Sequence, residues 1–488
     1  MNVMTTISGE RWAGVRRTVI EVLGCAIAAI WFGLGTSAGQ TLRLGVAGVV
    51  VACMVSVGIR APARLILGTV AWLVLLGVVR RLVTVVGGSS GNDPLLLVAP
   101  FSVALLTVLA WLRGTFGHLT PMSRAVQILM VLILASVVNP LQGGIRVGML
   151  GLLFTLVPLA WFWVGRAFVD DALLRGIFGV IAVAAVCAAG YGLTQTLLGF
   201  SGFDQSWIDN YGYPALRVQG TIRAFGPFVS ASDYQVYLGV GFATLVGFAT
   251  RPRWTLPCLA ALALVGWALA LGSGRGVVIQ LAVALGMMLA AWKKMGVGRA
   301  ALIGVALFGC LSLALGRVDT TTLNDPRTAD LLAHQVKGLA NPLSEEDSTL
   351  TGHVGLVGTG LTSSLSAPFG HGVGVMSQAA DKLGGVSAGT ESDPSNVSAG
   401  LGVPGLVAYL VLAGVAVMTA HNKAKSERTM VPLVALGILL VTGLQWFTGG
   451  NYAVAPIPWM VLGWLDRPPL ARSEAAMSAM AEAPAISG

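Results

Sequence analysis

The run Leu95-Leu-Leu-Val-Ala-Pro-Phe-Ser-Val-Ala-Leu-Leu-Thr-Val-Leu-Ala-Trp-Leu112 holds no charged residue over eighteen positions. As a helix it is long enough to cross most of the roughly 30 Å hydrocarbon core of a bilayer. Comparable runs recur on both sides of it, near 18–35, 44–59, 65–86, 125–138, 147–165, 176–198, 229–250, 255–272, 276–292, 300–316, 400–420, 430–448 and 453–465. Runs 44–59, 125–138 and 453–465 are short for a full crossing, so the count is about 12 to 14 spans. With 55% of the 488 residues hydrophobic and only 10% charged, a soluble protein is excluded. The expected fold is all-α, a polytopic transmembrane helix bundle.

Charge gives the bundle an orientation. With the amino terminus in the cytoplasm, 19 of the 30 basic residues fall in short cytoplasmic segments, whereas 11 lie outside beside 13 of the 21 acids. This is the positive-inside pattern, and it puts both termini in the cytoplasm. The net charge of +9 is thereby assigned to orientation, with no nucleic acid as partner. The run 18–35 follows Arg16-Arg17 and ends in Gly35-Thr-Ser-Ala38, like a cleaved signal, but it exceeds the roughly 7–15 apolar residues of a signal core and is expected to stay. The five cysteines lie in apolar runs without C-x-x-C spacing and read as small core residues.

The chain divides into transmembrane helices over 1–316 with an external loop at 201–227, a large extracytoplasmic loop at 317–399, the last transmembrane helices at 400–466, and an Ala/Ser/Pro-rich tail at 467–488 expected to be disordered. The 83-residue loop has four basic and nine acidic side chains, and loops of that length are usually functional. Within it, Asn324-Asp325-Pro326 reads as a helix start, followed by Leu331, Leu332, Val336 and Leu339 at helical spacing. Ser348 to Leu365 reads as a second helix, lying on the membrane surface.

Ionisable groups at membrane depth are expensive and mark candidate sites. Arg275 stands in Ser273-Gly274-Arg275-Gly276 between two apolar runs; glycines on both sides would leave its guanidinium uncovered for bidentate contact with phosphate or pyrophosphate. Arg217 and Arg223 flank Gly220-Thr221 just before the span that carries Asp233, and the three arginines would form a positive cluster outside. Glu391 opens Glu391-Ser392-Asp393-Pro394, at the lip of the span beginning near Gly400, where desolvation suits a carboxylate to act as general base. His353 is a second titrating candidate. Gly370-His371-Gly372-Val373-Gly374 lacks the preceding strand and following Lys-Ser/Thr of a phosphate loop and reads as a tight turn back to the membrane. There is no D-x-D, H-E-x-x-H or Walker sequence, so neither metal nor cofactor is expected.

Taken in order, Arg217-Val-Gln-Gly-Thr-Ile-Arg-Ala-Phe-Gly-Pro-Phe228, Gly272-Ser-Gly-Arg-Gly276, Asp347-Ser-Thr-Leu-Thr-Gly-His353, Pro368-Phe-Gly-His-Gly-Val-Gly374, Glu391-Ser392 and Gly402-Val-Pro-Gly405 resemble the bacterial O-antigen ligase and polymerase superfamily of GT-C-type membrane glycosyltransferases. The resemblance covers about residues 200–420. It implies inverting, metal-independent transfer of a glycan from an undecaprenyl-pyrophosphate donor to an acceptor hydroxyl, on the outer face of the bacterial cytoplasmic (inner) membrane. Arg217 and Arg275 match the family's pyrophosphate-binding arginines, with Arg223 beside them. Glu391 stands where ligases have His, and Glu-Ser there, like His at 353, looks more like the exopolysaccharide and O-antigen polymerase branch. Glu391 is then the expected base, with His353 orienting acceptor or phosphate and Ser392, Asp233 and His371 as substrate contacts. The partners implied are the lipid-linked donor, a glycan acceptor, the bilayer and a candidate chain-length regulator. A ligase acting on a lipid, cell-wall or protein acceptor is the nearest alternative. A lipid-linked glycan transporter fits less well, because transporters often carry internal repeats and none is visible here.

Overall fold

The computed structural model describes residues 38–88, 93–114, 116, 119–211, 217–218, 220–315, 317, 325–341, 344, 350–376, 392–447 and 451–467. The expected span at 18–35, Glu391, and the tail after Arg467 lie outside the described residues. The described chain is an all-α, multi-pass helical bundle with one two-stranded hairpin. Nine of its helices are long and apolar enough to cross a membrane.

In chain order these are α1 (Ala38–Arg60), α2 (Pro62–Gly87), α3 (Val98–Leu112, entered through a 3-10 turn), α4 (Pro121–Ser136), α5 (Ile145–Phe168), α6 (Asp171–Leu197) and the short α7 (Gly202–Tyr211). The hairpin β1 (Arg217–Val218) and β2 (Thr221–Ile222) follows, then α8 (Ala231–Ala249), α9 (Thr255–Leu271), α10 (Arg275–Trp292) and α11 (Val297–Leu315). The large loop carries α12 (Pro326–Ala340) and α13 (Leu350–Ser366), and the chain continues through α14 (Asp393–Glu427), α15 (Met430–Val441) and α16 (Pro456–Leu465). Helix α12 starts where the sequence places it: Asp325 accepts the Thr328 amide (3.1 Å) and Pro326 opens the first turn. Leu331, Val336 and Leu339 are buried on its inner face.

Three expectations need correction. The span expected at 44–59 starts at Ala38 and carries Arg43 inside it, because the charge is matched: Arg43 Nη1 lies 3.0 Å from Asp93, and Nη2 donates to Thr84 Oγ1 and the Gly88 carbonyl. The runs 430–448 and 453–465 are not two continuous crossings. Helices α15 and α16 have 12 and 10 residues, about 18 and 15 Å long at 1.5 Å per residue, and the described residues between them, 442–447 and 451–455, are non-helical. Such backbone survives at membrane depth only when protein encloses it, and Trp446, Phe447, Ala453 and Val454 are buried. Finally, Cys53, Cys187 and Cys310 are exposed on the outer faces of α1, α6 and α11, and Cys258 alone of the described cysteines is in the core; an apolar run surrounded by lipid has no need to turn its cysteines inward.

Helix α8 lies at the centre, packed against α6, α9 and α15. On one side of it, α5 and α16 approach until a Cβ on Gly463 would stand 2.0 Å from the Phe162 carbonyl, the close contact that small residues permit between membrane helices. Helix α14 kinks at Gly402, whose φ of 69° is non-helical. There the 368–372 turn docks on the opened backbone: Val403 N donates to Pro368 O (2.9 Å), His371 N to Ala399 O (2.8 Å) and Gly372 N to Gly400 O (2.9 Å).

A buried ion pair ties α2 to the short helix α7. Arg81 of α2 pairs with Asp204 of α7 and donates to the carbonyls of Gly226 (2.7 Å) and Phe228 (3.2 Å), while Tyr191 donates to the same carboxylate (2.9 Å). Both charges are fully buried. Asp204→Ala is expected to cost about 3–5 kcal/mol by stranding the Arg81 charge; an unchanged melting temperature in detergent would contradict this.

Candidate functional site

The hairpin pairs Arg217 with Ile222 and Val218 with Thr221. Gly220, at φ 90°, supplies the left-handed residue that its turn requires. Arg217 is exposed and donates to the Gly220 carbonyl (3.0 Å). Arg223, one residue beyond β2, reaches the α9–α10 turn, where its Nε donates to Gly272 O (2.8 Å).

That turn is unusually constrained. Ser273 holds φ 55°, which is costly for a residue with a Cβ. Its Oγ is fixed by donating to Leu331 O of α12 (2.7 Å). Gly272 and Gly274 press against Gln235 of α8, so that a Cβ on Gly272 would meet Gln235 Nε2 at 1.4 Å. The glycines beside Arg275 thus serve in part to admit Gln235, and the guanidinium is not left uncovered.

Helix α12 covers it. Arg275 Nη2 lies 2.8 Å from His334 Nδ1 and 2.9 Å from Nε2, and a Cβ on Gly338 would stand 2.0 Å from Arg275 Cζ. Thr221 Oγ1 donates to Asp330 Oδ2 (3.2 Å) and completes the clasp. Helix α12 therefore holds hairpin and turn together over one positively charged spot.

The electrostatics point the same way. Burial, reinforced by Arg275, pulls Arg223 down to about 10, so two cations are held close enough to destabilise each other. Arg275 also opens α10, adding its charge to the positive pole of that helix. An anion relieves both strains. Burial, then Arg275 and Arg223, lowers His334 to about 4, leaving a neutral ring that accepts the arginine's hydrogen at one nitrogen. Below its ordinary value of 6.5, a freed His334 takes up a proton that the docked ring refuses. Docking of α12 is therefore expected to be full above pH 6.5 and to weaken as the pH falls toward 4. Hydrogen exchange of the α12 amides should show this, with His334→Asn flattening the profile; a wild-type profile already flat would contradict it.

The interior behind Arg275 is polar. Gln235 and Gln335 are almost wholly buried, and among the described residues their side-chain amides have no hydrogen-bond partner. Asp233, in the first turn of α8, is also buried and accepts a hydrogen bond from the Ala453 backbone. Such groups cost about 1–3 kcal/mol each when unmatched, so water or the hydroxyls of a substrate have partners waiting.

The other expected residues occupy different places. Ser392 caps the start of α14, its Oγ 2.9 Å from Ser395 Oγ. Next to it, buried Asp393 accepts from Tyr409 Oη (3.0 Å) and Phe447 N (2.9 Å), and its own amide donates to Leu444 O (2.7 Å). The stretch leading from Glu391 is thereby anchored to the break between α15 and α16. His371 turns Nδ1 to Ala399 O (3.2 Å) at the α14 kink, and His353 is exposed on α13, which packs on α14. The histidine at the arginines is instead His334, which the sequence signals only as a polar residue interleaved with the Leu331, Val336 and Leu339 stripe. In comparisons with known proteins, no family model and no curated protein sequence matches this chain.

Proposed function

We propose that the chain is a membrane glycosyltransferase that polymerises undecaprenyl-pyrophosphate-linked glycan on the outer face of a bacterial cytoplasmic membrane. The observation that carries this reading is the close pairing of Arg223 and Arg275 under α12, a concentration of guanidinium charge suited to gripping a diphosphate. Pyrophosphate gains negative charge as it leaves the sugar, and preorganised guanidinium groups stabilise that charge in the transition state. Nucleotide sugars are absent outside the membrane, so an activated lipid-linked donor suits a site facing outward. Glu391, just ahead of the anchored Ser392-Asp393 pair, is the proposed base that takes the acceptor hydroxyl's proton as attack proceeds. The resemblance of residues 200–420 to the O-antigen ligase and polymerase superfamily, with Glu391-Ser392 and His353 closer to its polymerase branch, supports the same assignment.

Reconstituted protein given lipid-linked repeat units tests the reading. Ladders of growing polymer are expected. A single transfer to a distinct lipid, cell-wall or protein acceptor would make it a ligase, and no transfer to any of these would overturn it.

A further inference from the structure

One carboxylate sits beside the arginines without serving them. Asp330 and His334 stand about one turn apart on α12, on the same face of the helix. His334 turns to Arg275, 2.8 Å away. Asp330 turns to the hairpin, where its Oδ2 accepts from Thr221 Oγ1 at 3.2 Å. Thr221, Arg223, Arg275, Asp330 and His334 are all half-buried, so these groups line an edge that solvent reaches, between the hairpin and α12.

Two guanidinium groups lie along this edge, yet among the described residues Asp330 makes an ion pair with neither, and its Oδ1 has no hydrogen-bond partner. Asp330 is also not among the charges that shift Arg223 or His334. The carboxylate therefore leaves both guanidinium groups to an anion. The clasp does not account for it, because Thr221 needs only a neutral acceptor such as an amide oxygen. A diphosphate placed against it would be repelled. A carboxylate with one open oxygen is instead suited to hydroxyl groups, whose hydrogen bonds to a charged acceptor are roughly twice as strong as those to a neutral one.

The proposed donor carries such hydroxyls next to its diphosphate. The diphosphate is bonded to the anomeric carbon of a sugar, and the ring hydroxyls follow within a few bonds. Along α12 the step from His334 to Asp330 is about 6 Å at 1.5 Å per residue. A sugar whose diphosphate lies at the arginines thus meets the open oxygen of Asp330 one step further along the same edge.

We infer that Asp330 is a sugar-binding residue: its carboxylate accepts the hydroxyls of the hexose bonded to the donor's diphosphate, while Arg223 and Arg275 hold the diphosphate itself. The inference rests on the transferase reading for the identity of the donor, and it adds the group that distinguishes a glycan-bearing lipid from the bare one.

The test compares two probes on the full chain in nanodiscs, polyprenyl pyrophosphate and the same lipid bearing one hexose. Asp330→Asn keeps the shape and the clasp, since an amide oxygen also accepts from Thr221. It is expected to weaken the hexose-bearing lipid about fivefold or more, the loss of a charge-assisted hydrogen bond, and to leave the bare lipid unchanged or slightly tighter. Thr221→Val removes the clasp and keeps the carboxylate, so it should not discriminate between the probes. A hexose-bearing lipid that binds no better to wild type than to Asp330→Asn would overturn the assignment. So would Thr221→Val reproducing the selective loss, which would make Asp330 a structural clasp only. If neither probe binds the wild type, the transferase reading falls and this assignment with it. If the bare lipid binds and Asp330→Asn weakens both probes alike, the sugar contact falls alone.

Discussion

Arg275→Lys is expected to slow glycan transfer about 10²–10³-fold, the usual effect of removing one preorganised donor from a developing oxyanion. Lysine keeps the charge but loses the planar fork that spans two phosphate oxygens. In this protein the loss is compounded by geometry. One N–H of Arg275 is already directed at His334, 2.8 Å away, and the guanidinium lies flat over Gly338, where there is room for no Cβ. A lysine ammonium occupying that gap can serve His334 or the phosphate, but it cannot hold both in one plane. Folding should survive, because the smaller head fits the space. Initial rates in proteoliposomes, normalised to folded protein, measure the effect. A rate near wild type would reduce Arg275 to a membrane-surface charge.

Glu391→Gln is expected to be comparably severe, about 10²–10⁴-fold for loss of a general base, and to leave donor binding intact. The neighbouring carboxylate provides the contrast. Asp393 is fully buried and accepts from both Tyr409 and Phe447, so its work is to anchor the start of α14 to the α15–α16 break. Asp393→Asn should therefore lower stability, whereas Glu391→Gln should lower turnover at unchanged stability. Transfer rates and melting temperatures measured on both variants separate the roles, and a fully active Glu391→Gln protein would mean that another group takes the proton.

The helical architecture was legible because apolar composition over about 20 residues is a local property, and so was α12, whose cap and stripe are written within fifteen residues. What stayed hidden depends on partners distant in the chain. Arg43, Arg80 and Arg81 are buried against Asp93 and Asp204, the last of these 123 residues away from Arg81. No periodicity records such a pairing. The break between α15 and α16 was hidden for a related reason: Trp446, Phe447, Ala453 and Val454 are enclosed by protein, and in a sequence that looks the same as being enclosed by lipid. Around the site, Arg223 feels the charge of Arg275, whereas Arg217, expected in the same cluster, is exposed on the hairpin and donates to the Gly220 carbonyl. His334 was passed over in favour of His353 because proximity to Arg275 follows from how α12 docks, through Ser273 and Thr221, and docking is a tertiary fact.

The central claim is that guanidinium groups under α12 grip the diphosphate of a lipid-linked donor. Its most direct test is the affinity of polyprenyl pyrophosphate for the reconstituted protein, wild type against Arg275→Lys and Glu391→Gln. At least tenfold weaker binding for the first variant and unchanged binding for the second is the predicted result; equal affinity in all three proteins would contradict it.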